Sequence, residues 1–226
     1  MKLSADQLAQ YFDHTQLKAF ATQADFEKLC EESRKYHFRM VAINSAPVRL
    51  CKRLLQGTDI HVGAAVGFPL GQTTMECKLA ETIEAISSGA DEIDYVINVG
   101  CLKDKHYDYI AKEMAAIVDA CRERRVISKV IFENCYLTRE EKIAMCDIAR
   151  EVRPDFIKTS TGFGTGGATE EDVRLMVERT QGLVKVKAAG GIRTLDDAQR
   201  MINLGVSRIG STASVRILEE FIGTWS

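Results

Sequence analysis

The chain has 226 residues, 46% of them hydrophobic, which suits one large α/β domain or two small ones with a substantial core. A net charge of -2 gives no basis for binding nucleic acid or an anionic membrane surface. The seven cysteines (Cys30, Cys51, Cys77, Cys101, Cys121, Cys135, Cys146) are scattered with no C-x-x-C pair, so neither a zinc site nor a disulfide framework is indicated. Free thiols, no signal-like start and no apolar run of membrane-spanning length lead to a cytoplasmic expectation.

In chain order, residues 3 to 10 read as a short capping helix, followed by a brief strand at Tyr11-Phe-Asp13-His-Thr15. Thr22 to His37 is amphipathic, with Phe26, Leu29, Cys30 and Ser33 at helical spacing. Arg39 to Asn44 is a second strand, and Pro47 sits near the start of the next helix. His61 to Phe68 is a third strand, and Thr74 to Ser88 a helix with Gly89 as its stop. Glu92 to Asn98 is a fourth strand, Tyr107 to Arg124 a long helix, and Ser128 to Asn134 a fifth strand. Thr138 with Glu141 fits a capping box for a helix reaching Val152. Phe156 to Ser160 is the sixth strand, and Thr169 with Asp172 opens a helix. Val184 to Ala188 is the seventh strand, Thr194 to Asn203 a helix, and Arg208 to Ser211 the eighth strand, with a last helix from near Thr212.

Strands alternating with helices mean parallel pairing and right-handed crossovers. Eight such units in this length, with no linker or low-complexity break, predict a single (β/α)8 barrel over residues 1–226. Chemistry in such barrels sits at the carboxyl ends of the strands. The polar residues that fit a core poorly fall there: Asp13, Asn44, Asp94, Asn98, Glu133, Lys158 and Lys187.

Two strands each carry a lysine just before a Gly-containing turn, in Asp155-Phe-Ile-Lys158-Thr-Ser-Thr-Gly162 and Val184-Lys-Val-Lys187-Ala-Ala-Gly-Gly191. Two lysines snorkelling from strand ends are the plainer reading. A free lysine at pH 7 is an unprotonated amine only about once in 2,500 molecules. A second cation ~5 Å away, at an effective dielectric of ~20, lowers that pKa by about two units, and burial lowers it further. The pair is therefore a route to an amine nucleophile. Strand alternation puts Asp94, Val96 and Asn98 on the face towards the barrel axis and Ile93, Tyr95 and Ile97 on the helix side. Asp94 would then relay protons, form a structural ion pair, or both.

The loop Thr161-Gly-Phe-Gly-Thr-Gly-Gly167 contains a formal G-x-G-x-x-G. It is not read as a dinucleotide site, because no acidic residue ends the next strand to hold a ribose. Gly190-Gly191 after strand seven and Gly210-Ser211-Thr212 after strand eight suit a phosphate, held by backbone N–H groups and a helix N-terminus. Ordinary turns with a Ser/Thr cap would give the same pattern. Arg193 could add charge there or be a solvated residue at the helix start.

With these residues in place, nearly the whole chain resembles the class I (Schiff-base) deoxyribose-phosphate aldolase family. Its signatures stand here as Asp13-His-Thr15, Gly89-Ala-Asp-Glu-Ile-Asp94, Asp155-Phe-Ile-Lys158-Thr-Ser-Thr-Gly162 and Lys187-Ala-Ala-Gly-Gly-Ile-Arg193-Thr. The resemblance implies that Lys158 forms the Schiff base, Lys187 lowers its pKa and Asp94 shuttles protons. It implies substrate and phosphate contacts from Asp13, Thr15, Asn44, Thr159, Gly162, Gly190, Gly191, Gly210, Ser211 and Thr212. The expected partners are small phosphorylated sugars and aldehydes, with no cofactor or metal beyond the covalent lysine intermediate. A homodimer is left open. Three features depart from the family. Phe163 stands where some members have lysine, Lys185 has no evident partner, and the chain ends at Thr224-Trp-Ser226 without a longer tyrosine-ended tail. Two rivals remain at this point: a Schiff-base aldolase for another phosphorylated sugar, and a non-catalytic sugar-phosphate sensor. Donor choice and borohydride trapping separate them.

Overall fold

The computed structural model describes residues 3–224. The end of the chain beyond Thr224, including the short Trp-Ser terminus, lies outside the described residues. Eight parallel strands close into a barrel in sequence order: β1 (Phe12–Gln16), β2 (Met40–Asn44), β3 (His61–Val66), β4 (Glu92–Val96), β5 (Ile127–Ile131), β6 (Phe156–Lys158), β7 (Lys185–Ala189) and β8 (Arg208–Ser211). β8 pairs back to β1, with Asp13 opposite Gly210. The expected (β/α)8 architecture is the one observed.

Helices follow each strand where the intervening sequence carries an apolar stripe, and several begin at a capping residue. α1 (Ala5–Ala9) is the short helix before the barrel, and Ser4 with Gln7 makes its capping box. α2 (Gln23–Tyr36), α3 (Val48–Leu54) and α4 (Met75–Ser87) follow the first three strands. β4 leads first into α5 (Val99–Lys103), a five-residue helix that the sequence reading lacks, and then into α6 (Tyr107–Glu123). α7 (Arg139–Val152) begins at the Thr138–Glu141 capping box, and Thr169 caps α8 (Glu170–Thr180). Thr194 and Asp197 box the start of α9 (Leu195–Asn203), and α10 (Ser214–Gly223) closes the chain.

The large hydrophobic core lies between barrel and helices. Ile93, Tyr95, Val130, Ile157, Val186 and Ile209 point outward from the strands onto Leu29, Met114, Ile117, Met145 and other helix residues. The inward positions differ from the branched apolar filling usual in such barrels. Asp13, Glu92, Asp94, Lys129, Lys158, Lys187 and Arg208 are all buried there, beside Met40 and Phe156. Among the described residues, no helix is long and apolar enough to cross a membrane. All seven cysteines are free.

Candidate active site

Register brings the ionic residues together. Parallel pairing sets Lys158 directly opposite Lys187, Asp94 opposite Lys129 and Lys187 opposite Arg208. With side chains alternating along each strand, all of these point to the axis. Lys158 donates to Asp94 Oδ2 at 2.9 Å, and Lys187 donates to the same oxygen at 2.7 Å. Lys129 takes the other oxygen, Oδ1, at 2.5 Å and also lies 2.5 Å from Glu92. Lys187 is 2.5 Å from Asp13, whose second oxygen meets Arg208. Arg208 also donates to Glu92 at 2.6 Å. One carboxylate thus holds three ammonium groups.

These contacts set the charges. Burial pushes the Lys158 ammonium down, Asp94 opposes that, and Lys187 and then Lys129 add repulsion, leaving its pKa at about 8. Of the two lowering influences expected from the sequence, a neighbouring cation and burial, burial is the larger. Burial would raise the Asp94 carboxyl, but Lys129, Lys158 and Lys187 overcome it and hold it well below the usual carboxylate range. Lys129 is held above the ordinary lysine range: burial opposes its charge, and Asp94 and Glu92 outweigh burial. Lys158 is therefore poised to lose its proton near neutrality.

Lys158 also opens upward. It lines a cavity of about 220 Å³ at the carboxyl ends of the strands. Gly190 and Gly191 wall the cavity on one side, and Gly210, Ser211 and Thr212 on another. Gly162 and Phe163 complete it from the β6 loop, and Thr15 from β1. Gly162, Gly190 and Gly191 have φ of 89°, 84° and 80°, values that favour glycine. Gly167 packs so closely under Gly190 that a Cβ there would lie 2.2 Å from the Gly190 carbonyl oxygen. Two exposed cations stand at the rim, Arg193 and Lys18. Lys18 was not singled out in the sequence. Its signal was its place three residues after Thr15, in the loop following β1.

Other candidates sit elsewhere. Thr159 is fully buried and bridges β6 to β7, donating to the Ala189 carbonyl at 3.2 Å and accepting from the Ala189 N–H at 3.1 Å. Asn44 donates to the Leu17 carbonyl at 3.4 Å. Neither lines the cavity. Asn98 is not on the barrel axis: β4 ends at Val96, and Asn98 caps α5 by accepting from the Cys101 N–H at 3.1 Å. Glu133 has φ of 55° and accepts both the N–H and the hydroxyl of Thr161, tying down the β6 loop. Lys185 begins β7 at the opposite end of the barrel, exposed, with its Nζ 5.6 Å from the centre of the Phe156 ring. Among the described residues, no group of three or more His, Cys, Asp or Glu side chains is placed to hold a metal ion.

Chemically, the arrangement offers an amine able to add to a carbonyl, at a cavity walled by glycine-containing loops. Residues 7–212 match the DeoC/LacD family aldolase. The chain is 56% identical to the deoxyribose-phosphate aldolase of Lactobacillus acidophilus, over 97% of this chain and 92% of that one. It is 52% identical to that of Bacteroides thetaiotaomicron, again over 97% and 92%. The solved deoxyribose phosphate aldolase of Aeropyrum pernix, described as tetrameric, superposes with a TM-score of 0.91 at 29% identity, covering 98% of this chain and 93% of that one.

Proposed function

This chain belongs to the DeoC/LacD family of aldolases, carbon–carbon lyases, and on that premise we propose that it cleaves 2-deoxy-D-ribose 5-phosphate reversibly to acetaldehyde and D-glyceraldehyde 3-phosphate. The names of its relatives support the substrate. The observation that carries the chemistry is Lys158, a buried amine with a pKa of about 8 at the floor of an open cavity.

Lys158 Nζ adds to the substrate aldehyde, and loss of water gives a protonated imine. A base takes the proton of the 3-hydroxyl. The C2–C3 bond then breaks, and its electron pair moves through C2 into the iminium to leave an enamine. Glyceraldehyde 3-phosphate departs as the new aldehyde. The enamine regains a proton at C2, and water hydrolyses the resulting imine to release acetaldehyde and the free amine. Asp94, Lys187 and water exchange these protons. Asp94 shares one oxygen with both lysines, so a proton given up by one ammonium has an acceptor already in contact with the other. The phosphate rests on the loops after β7 and β8, where backbone N–H groups and the start of α10 favour an anion. Arg193 and Lys18 add positive charge at the rim. The electron sink is the lysine imine itself, so this route requires no metal or cofactor. It serves the breakdown of deoxyribose phosphate.

Borohydride reduction in the presence of the substrate tests the reading, since it should fix a covalent adduct on Lys158. Lys158→Arg should abolish both turnover and trapping, because a guanidinium forms no such imine. Trapping that persists in that variant and maps to Lys187 would reverse the assigned roles.

A further inference from the structure

A chain of hydrogen bonds behind the cavity joins Ser211 to three residues with no part in the chemistry above, Ser214, His14 and Glu32. His14 Nε2 lies 2.9 Å from a carboxylate oxygen of Glu32 on α2. His14 Nδ1 lies 2.8 Å from the Ser214 hydroxyl, at the first residue of α10. Ser214 is in turn 3.0 Å from the Ser211 carbonyl oxygen. The Ser211 hydroxyl donates to the Ile192 carbonyl at 2.8 Å and accepts from the Ala213 N–H at 2.9 Å. Glu32, His14, Ser214 and Ser211 therefore tie α2 and β1 to both loops that wall the cavity.

The order Glu, His, Ser imitates a nucleophilic triad, but Ser214 is fully buried and does not line the cavity that holds Lys158, so no substrate there reaches it. Its use lies in proton accounting. A serine hydroxyl carries one proton, and two acceptors compete for this one. The Glu32 carboxylate requires N–H on His14 Nε2. When Nδ1 also carries a proton, it donates to Ser214, and the Ser214 proton falls to the Ser211 carbonyl. When Nδ1 is bare it takes the Ser214 proton, and the Ser211 carbonyl loses its partner. His14 decides which. Burial is the largest influence and lowers its pKa, Glu32 opposes that and Lys28 adds to it, so the neutral ring, with Nδ1 accepting from Ser214, is favoured; the Phe38 ring packs against it with centroids 5.0 Å apart.

We propose that His14 is a positioning residue for phosphate binding, holding Ser214 and with it the start of α10 and the loop after β8 against β1. The proposal rests on the reading of those loops as the phosphate site. The test measures kcat and KM for 2-deoxyribose 5-phosphate and for 2-deoxyribose in the wild type, Ser214→Ala, His14→Leu and His14→Asn. Losing one such bond should raise KM for the phosphorylated substrate about three- to tenfold in Ser214→Ala and His14→Leu. Their kcat, and their kcat/KM on 2-deoxyribose, should stay at the wild-type level. His14→Asn keeps an amide that can accept from the Ser214 hydroxyl near the position of Nδ1, so its KM should stay near that of the wild type. Equal losses on both substrates, or an Asn variant that behaves like the Leu variant, would overturn the positioning role. Inorganic phosphate serves as the control: if it fails to compete in the wild type, the phosphate reading itself falls and takes this proposal with it.

Discussion

Lys158 shows how much one side chain depends on its surroundings. With a pKa of about 8, about one molecule in ten carries the free amine at pH 7, against about one in 2,500 for an unperturbed lysine. Only the amine attacks, so kcat/KM should rise with pH and level off above about 8, a limb that a pH–rate profile reads directly. Lys187→Met removes one neighbouring cation and leaves an apolar stem of similar length. The sign follows: less repulsion means a more stable ammonium, a higher Lys158 pKa, and a limb displaced upward. The pairwise repulsion allows at most about two pH units, and since burial is the larger cause, about one is expected. Activity at neutral pH then falls about tenfold and recovers in alkali. A profile that keeps its limb but loses height at every pH would make Lys187 a proton donor instead.

At the level of elements, the loop after β7 is held by the helix it leads into. Asp197 of α9 accepts from the Arg193 and Thr194 N–H groups, both at 3.0 Å. The Arg193 bond foremost, then Thr194, draws its carboxyl down to about 2. A carboxyl depressed on folding stabilises above its unfolded value and loses that contribution as pH falls through the folded one. Asp197→Asn should therefore cost about 1 kcal/mol near neutrality in urea unfolding, the scale of a lost cap, and the difference from wild type should shrink between about pH 4 and 2. The same loop shows why Gly190→Val is a poor probe of phosphate binding. Its φ is 84°, and a Cβ would come within 3.0 Å of Gly167 Cα, so the variant would deform the loop whatever binds there. Such elements were largely legible in advance. Thr138–Glu141 and Thr194–Asp197 announce their helices by capping chemistry, and the Lys158 and Lys187 strands announce themselves by a charge in an apolar run. α5 was missed because five residues carry too little periodicity to separate them from the end of β4. Lys129 was missed although it sits in Ser128-Lys-Val-Ile with the same signal, because no glycine loop follows to draw attention to it. Arg208 was placed in the sequence only as the first residue of the eighth strand. Only barrel closure turns it inward.

The whole barrel acts as a charge balance. Counted at their ordinary charges, Lys129, Lys187 and Arg208 match Asp13, Glu92 and Asp94, and all six are buried on the axis. The ammonium of Lys158 would be one positive charge in excess, and there burial outweighs the attraction of Asp94, whereas on Lys129 Asp94 and Glu92 outweigh burial. The network then has two duties, stability and poise, that one substitution can separate. Lys129→Met leaves Glu92 and Asp94 each short of a partner inside the barrel. Breaking a buried ion pair from one side costs about 3–5 kcal/mol, so guanidinium unfolding should show a loss of that size. The same change removes repulsion on Lys158 and should displace the pH–rate limb upward, as in Lys187→Met but by less, since Lys129 ranks below Lys187 among the causes of the low Lys158 pKa. Pairing it with Glu92→Gln removes one charge of each sign. The double variant should regain much of the stability while keeping the displaced limb, because Glu92 is not among the groups acting directly on Lys158. A double variant as unstable as Lys129→Met alone would mean that packing around the Lys129 stem, not charge balance, holds the barrel together. A limb unmoved in both variants would confine the tuning of Lys158 to burial, Asp94 and Lys187.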